Sequence, residues 1–74
     1  MLNNINLNLL RSLHVLLEEC HVSRAAQRLN ITQSAVSRQL AQLRELCSDP
    51  ILVRDGNQLI PTPRALQLKE KLDD

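Results

Sequence analysis

Apolar residues recur at three- and four-residue steps through the first two thirds of the chain, a spacing that places them on one face of an α-helix. The first such run predicts a helix from Asn6 to Cys20, with Asn4 or Asn6 as its N-cap. A shorter run predicts a second helix that begins after Ser23, whose hydroxyl suits an N-cap, and ends at Leu29. The chain therefore opens with two helices separated by a short break.

A third helix is predicted over 33–47, because Thr32 offers another hydroxyl N-cap and apolar residues again recur at helical spacing. Its apolar stripe consists of Val36, Leu40, Leu43 and Cys47. Asp49 and Pro50 stop this helix, since the residue before a proline is driven out of the α region. Only a short break at 30–31 separates it from the second helix.

The periodicity changes after Pro50. Two short β-prone runs, at 51–53 and 59–60, flank a turn signal at 55–57 and together predict a small hairpin. The hairpin ends at a Pro-Thr-Pro sequence, 61–63, which supplies a hydroxyl cap followed by a proline in the first helical position. The fourth helix predicted to start there carries three leucines, Leu66, Leu68 and Leu72.

Composition agrees with a mainly α domain. The 74 residues include sixteen leucines, a single glycine and no aromatic side chain, whereas a β-sandwich or barrel needs β-branched and aromatic residues and many turn glycines. A chain of this length forms one small domain. Three helices, a short hairpin and a fourth helix follow the order of a winged helix-turn-helix, whose third helix enters the DNA major groove.

The outer face of the third helix is polar and nearly uncharged. It presents Gln33, Ser34, Ser37 and Arg38 opposite the apolar stripe. Arginine donates two hydrogen bonds to guanine, glutamine makes two hydrogen bonds to adenine, and serine can form a hydrogen bond with either base. We therefore expect these four residues to contact bases, the alternative being an ordinary solvated helix face.

Charge is unevenly distributed, although the formal net charge is only +1. The segment 23–44 contains four arginines, Arg24, Arg28, Arg38 and Arg44, and no acidic residue. Such a local cationic patch suits the phosphate backbone of DNA. We expect Thr32, Arg24 and Arg28 to contact phosphates, the alternative for the arginines being solvated or ion-paired surface positions.

Other chemistry finds little support in the sequence. No glycine-rich phosphate loop or set of paired carboxylates predicts an enzyme or a cofactor site, and no apolar run is long enough to span a bilayer. Cys20 and Cys47 occupy apolar helical positions and are interpreted as reduced core thiols, with a disulfide between them as the alternative. His14 and His21 lack the spacing of zinc ligands, so no metal site is expected.

Two segments carry a family resemblance: SRAAQRL at 23–29 and TQSAVSRQL at 32–40. Both are similar to the DNA-binding domain of LysR-type transcriptional regulators, and so are DPILVR at 49–54 and PTPRA at 61–65. The resemblance covers about 7–68. It departs from the family's usual residues at Arg44 in place of glutamate, at Cys47-Ser48 in place of Leu-Gly, at Leu52 in place of the wing phenylalanine, and at Asn57 in place of a wing-tip arginine.

The resemblance implies that 1–61 is a winged helix-turn-helix DNA-binding domain and that 62–74 begins a linker helix, which pairs with a second subunit. It implies major-groove positions for Gln33, Ser34, Ser37 and Arg38, a backbone position for Thr32, and a wing arginine near phosphate for Arg54. The family senses small molecules through a larger C-terminal domain, so no effector site is expected in these 74 residues.

These observations predict sequence-specific binding of double-stranded DNA by a cytoplasmic bacterial regulator of transcription. The chain is expected to form a homodimer through its linker helices, with a tetramer as an alternative in a full-length protein. The dimer would place the third helices of its two subunits about 34 Å apart on an operator with dyad symmetry. Because the core is small, Leu66, Leu68 and Leu72 are expected to form the dimer contact, with a core-facing role as the alternative. The competing function is a helical protein-interaction module that does not bind DNA.

Overall fold

The computed structural model describes residues 6–73, which form four helices and one two-stranded antiparallel sheet. In chain order the elements are α1 (Leu7–Glu19), α2 (Val22–Leu29), α3 (Gln33–Cys47), β1 (Leu52–Asp55), β2 (Gln58–Pro61) and α4 (Pro63–Asp73). The mainly helical fold predicted from the sequence is confirmed. Over these residues, every helix is too short or too polar to cross a membrane.

Side chains predicted as N-caps begin α1 and α3. Asn6 Oδ1 accepts a hydrogen bond from the Leu9 N–H at 2.9 Å, and Thr32 Oγ1 accepts one from the Ala35 N–H at 3.1 Å. Each bond satisfies a backbone donor that has no partner within the helix. The other candidate cap of α1, Asn4, lies outside the described residues.

The cap predicted for α2 is wrong. The helix begins at Val22, and its N-cap is His21, whose Nδ1 accepts the Arg24 N–H at 3.3 Å. Ser23 is therefore already inside the first turn. Cys20 takes a left-handed conformation with φ 50°, and His21 follows in extended conformation, which aims its ring at the start of the helix.

The core lies between α1, α2 and α3, with the hairpin and α4 closing one side. Its fully or nearly fully buried residues are Leu9, Leu13, Val15, Leu16, Leu17, Ala25, Ala26, Val36, Leu40, Leu43, Cys47, Ile51, Leu52 and Ala65. The predicted stripe of α3 is thus confirmed. Two alanines form the buried face of α2, and their small size lets this helix approach its neighbours closely.

A half-buried carboxylate organises the passage from α3 to the hairpin and α4. Asp49 Oδ2 accepts the Ile51 N–H at 2.9 Å and the Thr62 hydroxyl at 2.6 Å. The same Thr62 oxygen accepts the Ala65 N–H at 3.1 Å and so caps α4 as predicted. We call this set of bonds the Asp49 junction. It connects the end of α3 to the start of α4 across the hairpin.

The backbone at Ile51 is strained. This residue has φ 67°, which is rare for a β-branched side chain, and the Leu52 N–H reaches back to the Pro50 carbonyl at 2.7 Å to close a γ-turn. Complete burial of Ile51 and its bond to Asp49 hold this conformation. The Arg44 guanidinium adds to it by donating to the carbonyls of Pro50 and Leu52, at 2.8 and 3.0 Å.

The hairpin strands are longer than the sequence predicts, extending over Leu52–Asp55 and Gln58–Pro61. Val53 pairs with Ile60, and Asp55 pairs with Gln58, so that only two residues remain in the turn. The first of them, Gly56, has φ 64°, a conformation that two-residue hairpin turns require and that glycine adopts without penalty.

The acid sensitivity of the fold tests the Asp49 junction. Hydrogen bonds from Thr62 and then from the Ile51 N–H hold the pKa of Asp49 below its ordinary value. The ionised carboxylate therefore stabilises the fold above the pKa that it has in the unfolded chain. This contribution is lost as the pH falls through the lower pKa of the folded state. We expect Asp49→Asn to be less stable than wild type at pH 7 and to approach it only as the pH falls below about 4.

Urea unfolding across that pH range measures the difference. Glu45→Gln is the matched control, because it removes one exposed carboxylate from α3 and should leave the pH dependence as it is. A curve for Asp49→Asn parallel to that of wild type at every pH would show that the junction does not depend on ionisation of Asp49.

Candidate nucleic-acid interface

Four polar side chains project from the N-terminal half of α3 into solvent. Gln33, Ser34, Ser37 and Arg38 are all exposed, on the side of the helix opposite its buried stripe. They occupy two successive turns and so form a continuous surface. The structure therefore places together all four residues for which base contacts are predicted.

The body of the domain holds α3 in place along its length. Ser12, a buried polar residue of α1, donates a hydrogen bond to Gln39 Oε1 at 2.5 Å. The N-terminus is fixed by the Thr32 cap and the C-terminal half by Arg44, which binds the backbone that leads into β1. Side chains on a helix restrained in this way meet a ligand in a defined geometry.

Thr32 lies at the tip of α3 and is exposed. Its oxygen accepts the Ala35 N–H, while the hydroxyl hydrogen can still be donated to an acceptor such as a phosphate oxygen. The first N–H groups of α3 point the same way, at the end of the helix where the dipole favours anions.

The arginines of segment 23–44 differ in their surroundings. Arg24 is exposed on the first turn of α2. Arg28 NH1 is held by Glu18 at 2.9 Å and by Glu19 at 3.0 Å, and these hydrogen bonds, that of Glu18 first, raise the pKa of Arg28. Arg44 binds backbone carbonyls at the start of the β1–β2 hairpin, which is the wing of the fold. The cationic patch is thus less uniform than the sequence suggests.

The wing contributes Arg54, an exposed residue of β1 that pairs with Leu59. Arg54 and Gln33 line one shallow depression, together with Ser23 at the start of α2 and Asn57 at the wing tip. The starts of α2 and α3 and one side of the wing therefore share a surface, which the sequence alone does not reveal.

One exposed residue was missed in the sequence. Gln42 lies one turn beyond Arg38, and both side chains line a second shallow depression with Gln39. Spacing was the available signal, because positions 38 and 42 share a helix face. The amide of Gln42 extends the polar surface of α3 toward the C-terminus.

Neither cysteine forms a disulfide, which leaves the expectation of free thiols standing. Cys47 is fully buried, whereas Cys20 is only partly buried at the end of α1. Burial, the largest effect on each, raises the pKa of both thiols, so that the reactive thiolate is disfavoured. Among the described residues, the group with the donors and spacing for a metal ion is His14, Glu18 and Asp73.

Comparison with known proteins places these features in a family. Residues 7–66 match the model of the bacterial regulatory helix-turn-helix protein, lysR family. The HTH-type transcriptional regulator YidZ of Salmonella newport (strain SL254) is 44% identical over 73 residues, which make up 99% of this chain and 23% of that protein. YidZ of Citrobacter koseri is 40% identical over the same coverage. The chain thus spans about a quarter of the length of these relatives.

Solved structures show the same fold. A probable transcriptional regulator from Pseudomonas aeruginosa, PA0477, superposes with a TM-score of 0.90 at 36% identity, over 97% of this chain and 24% of that one. The BenM DBD in complex with catB site 1 DNA superposes with a TM-score of 0.84 at 28% identity, covering 93% of this chain and 78% of that one. The winged helix-turn-helix predicted from the sequence is confirmed, and the chain belongs to the lysR family of bacterial regulatory helix-turn-helix proteins.

Proposed function

We propose that this domain binds double-stranded DNA in a sequence-specific manner to regulate transcription, with α3 in the major groove. The observation that carries the proposal is the exposed, polar and nearly uncharged face of α3 within a segment, 23–44, that has no acidic residue. The BenM DBD, whose fold is the same, has been solved on DNA.

Base discrimination is assigned to Arg38 and Gln33, with Ser34 and Ser37 as adaptable partners. Arg38 has the planar pair of donors that matches guanine, and Gln33 has the donor and acceptor that match adenine. Gln42, one turn further along the same surface, extends it to a neighbouring base or phosphate.

Backbone contacts are assigned to Thr32, Arg24 and Arg54, which are exposed around the same surface. Arg28 is assigned a weaker contact, because a phosphate has to compete with the carboxylates of Glu18 and Glu19 for its guanidinium group. Such contacts set the register of the domain on DNA without selecting a sequence.

Dimerisation is assigned to α4 as the start of a linker helix, 62–74, following a DNA-binding domain over 1–61. Leu66 is 49% exposed and is available to a second subunit, whereas Leu68 and Leu72 are partly covered by the core of their own chain. A homodimer in the bacterial cytoplasm would present two α3 helices to an operator with dyad symmetry, and a full-length protein could pair again into a tetramer.

Selection of bound sequences from a random duplex pool tests the proposal as a whole. We expect a recurrent motif that repeats with dyad symmetry at a spacing of about one helical turn. Recovery of unrelated sequences would contradict sequence-specific binding. A single recurrent half-site would contradict the dimer.

Arg38→Ala tests the base contact. On the selected site the substitution should cost about 1–3 kcal/mol and relax the preference at one base pair, because one bidentate contact is lost. Binding to a panel of single-base variants of the site measures both effects. Arg11→Ala, which removes an exposed arginine of α1, is the control. Uniform weakening by Arg38→Ala across the panel would assign this residue to phosphate.

The salt dependence of DNA binding separates two neighbouring arginines. Arg24→Ala should reduce the slope of log affinity against log salt by about one unit, because one phosphate contact is lost. Arg28→Ala should change the slope less, since this side chain is shared with Glu18 and Glu19. Fluorescence anisotropy with a labelled duplex at several salt concentrations gives both slopes. Equal reductions would show that the ion pairs do not compete with DNA.

A further inference from the structure

A cluster of ionisable groups lies where the last turn of α4 meets α1. His14 Nε2 is 2.8 Å from Asp73 Oδ1 and 3.6 Å from Glu18 Oε2, and the three atoms all lie within 4.8 Å of one another. His14 and Glu18 are four residues apart on one helix face, and Asp73 approaches them from 59 positions further along the chain. Only the folded chain brings these donors together.

Both carboxylates are oriented by a cation on their far side. Arg28 NH1 holds Glu18 Oε1 at 2.9 Å, and Lys69 Nζ holds Asp73 Oδ2 at 2.8 Å. The remaining oxygen of each carboxylate, Oε2 of Glu18 and Oδ1 of Asp73, faces the imidazole nitrogen. Outer hydrogen bonds of this kind fix the direction of metal ligands in proteins.

We propose that His14, Glu18 and Asp73 form a binding site for one zinc ion, which ties the end of α4 to α1. Zinc binds imidazole nitrogen and carboxylate oxygen at about 2.0–2.2 Å, which puts neighbouring ligands of a tetrahedral site about 3.3 Å apart. The separation of His14 from Glu18 already fits. Asp73 Oδ1 has to move about half an ångström away from the imidazole nitrogen and to lie about 3.3 Å from Glu18 Oε2, an oxygen that it now lies within 4.8 Å of. Its exposed side chain has room for this shift. Water completes the tetrahedron.

Donor type favours zinc over magnesium or calcium. Those harder cations prefer six or more oxygen ligands, whereas an imidazole with two carboxylates suits a transition metal. The positive charges of Arg28 and Lys69 weaken the binding of zinc. However, these two cations contact three carboxylates, those of Glu18, Glu19 and Asp73. All three ligands are at least partly exposed, so we expect zinc to bind more weakly than at a closed structural site.

Calorimetric titration with zinc chloride and thermal unfolding in its presence test the proposal, which is independent of DNA binding. We expect one zinc ion per chain and a rise in Tm. Both His14→Gln and Asp73→Asn should weaken zinc binding at least tenfold and abolish the rise, while their circular dichroism stays that of the folded domain. Magnesium chloride, the second probe, should leave Tm unchanged.

Two single variants, His21→Asn and Cys20→Ser, are the matched controls. His21 and Cys20 are adjacent in sequence and offer the alternative pair of zinc ligands, and asparagine at 21 preserves the N-cap of α2. Both control variants should bind zinc as wild type does. The proposal is overturned by undetectable zinc binding, by binding that survives His14→Gln, by loss of binding in either control, or by an equal effect of magnesium.

Discussion

The carboxylate of Asp49 is the constraint on which the second half of the molecule depends. One of its oxygens accepts two hydrogen bonds, from the Ile51 N–H and the Thr62 hydroxyl. These bonds hold Ile51 in a left-handed conformation and place Thr62, the residue that caps α4. Without it, the γ-turn would have to be held by burial of Ile51 and by Arg44 alone. The wing and the fourth helix thus take their direction from a single acid that follows the recognition helix by two residues.

The same region explains a departure from the family pattern. Arg44 stands where related sequences usually have glutamate, and in this chain it donates to the carbonyls of Pro50 and Leu52. A carboxylate at that position would repel both oxygens. The cation therefore serves the fold, by securing the wing to α3, and this leaves fewer of the arginines in 23–44 for DNA than their number suggests.

Local features of the fold could be predicted from the sequence, and distant ones could not. Helix periods and three of the caps were predicted correctly, because each cap of α1, α3 and α4 lies within three residues of its partner. The four polar residues of α3 share a face by spacing alone. His21 was missed as a cap because an imidazole is an unusual one. The pairing of Arg28 with Glu18 and the approach of Asp73 to His14 arise only when helices pack.

A shortage of glycine has a consequence for the unfolded chain. The three residues that end α1, α2 and α3, namely Cys20, Asn30 and Ser48, have left-handed backbones without being glycine. Each costs some strain in the folded state, least at Asn30, because asparagine tolerates this conformation. A side chain at these positions also restricts the unfolded chain, which then loses less entropy on folding than glycine would. In a domain of this size, that smaller entropy loss offsets part of the strain that the left-handed turns carry in the folded state.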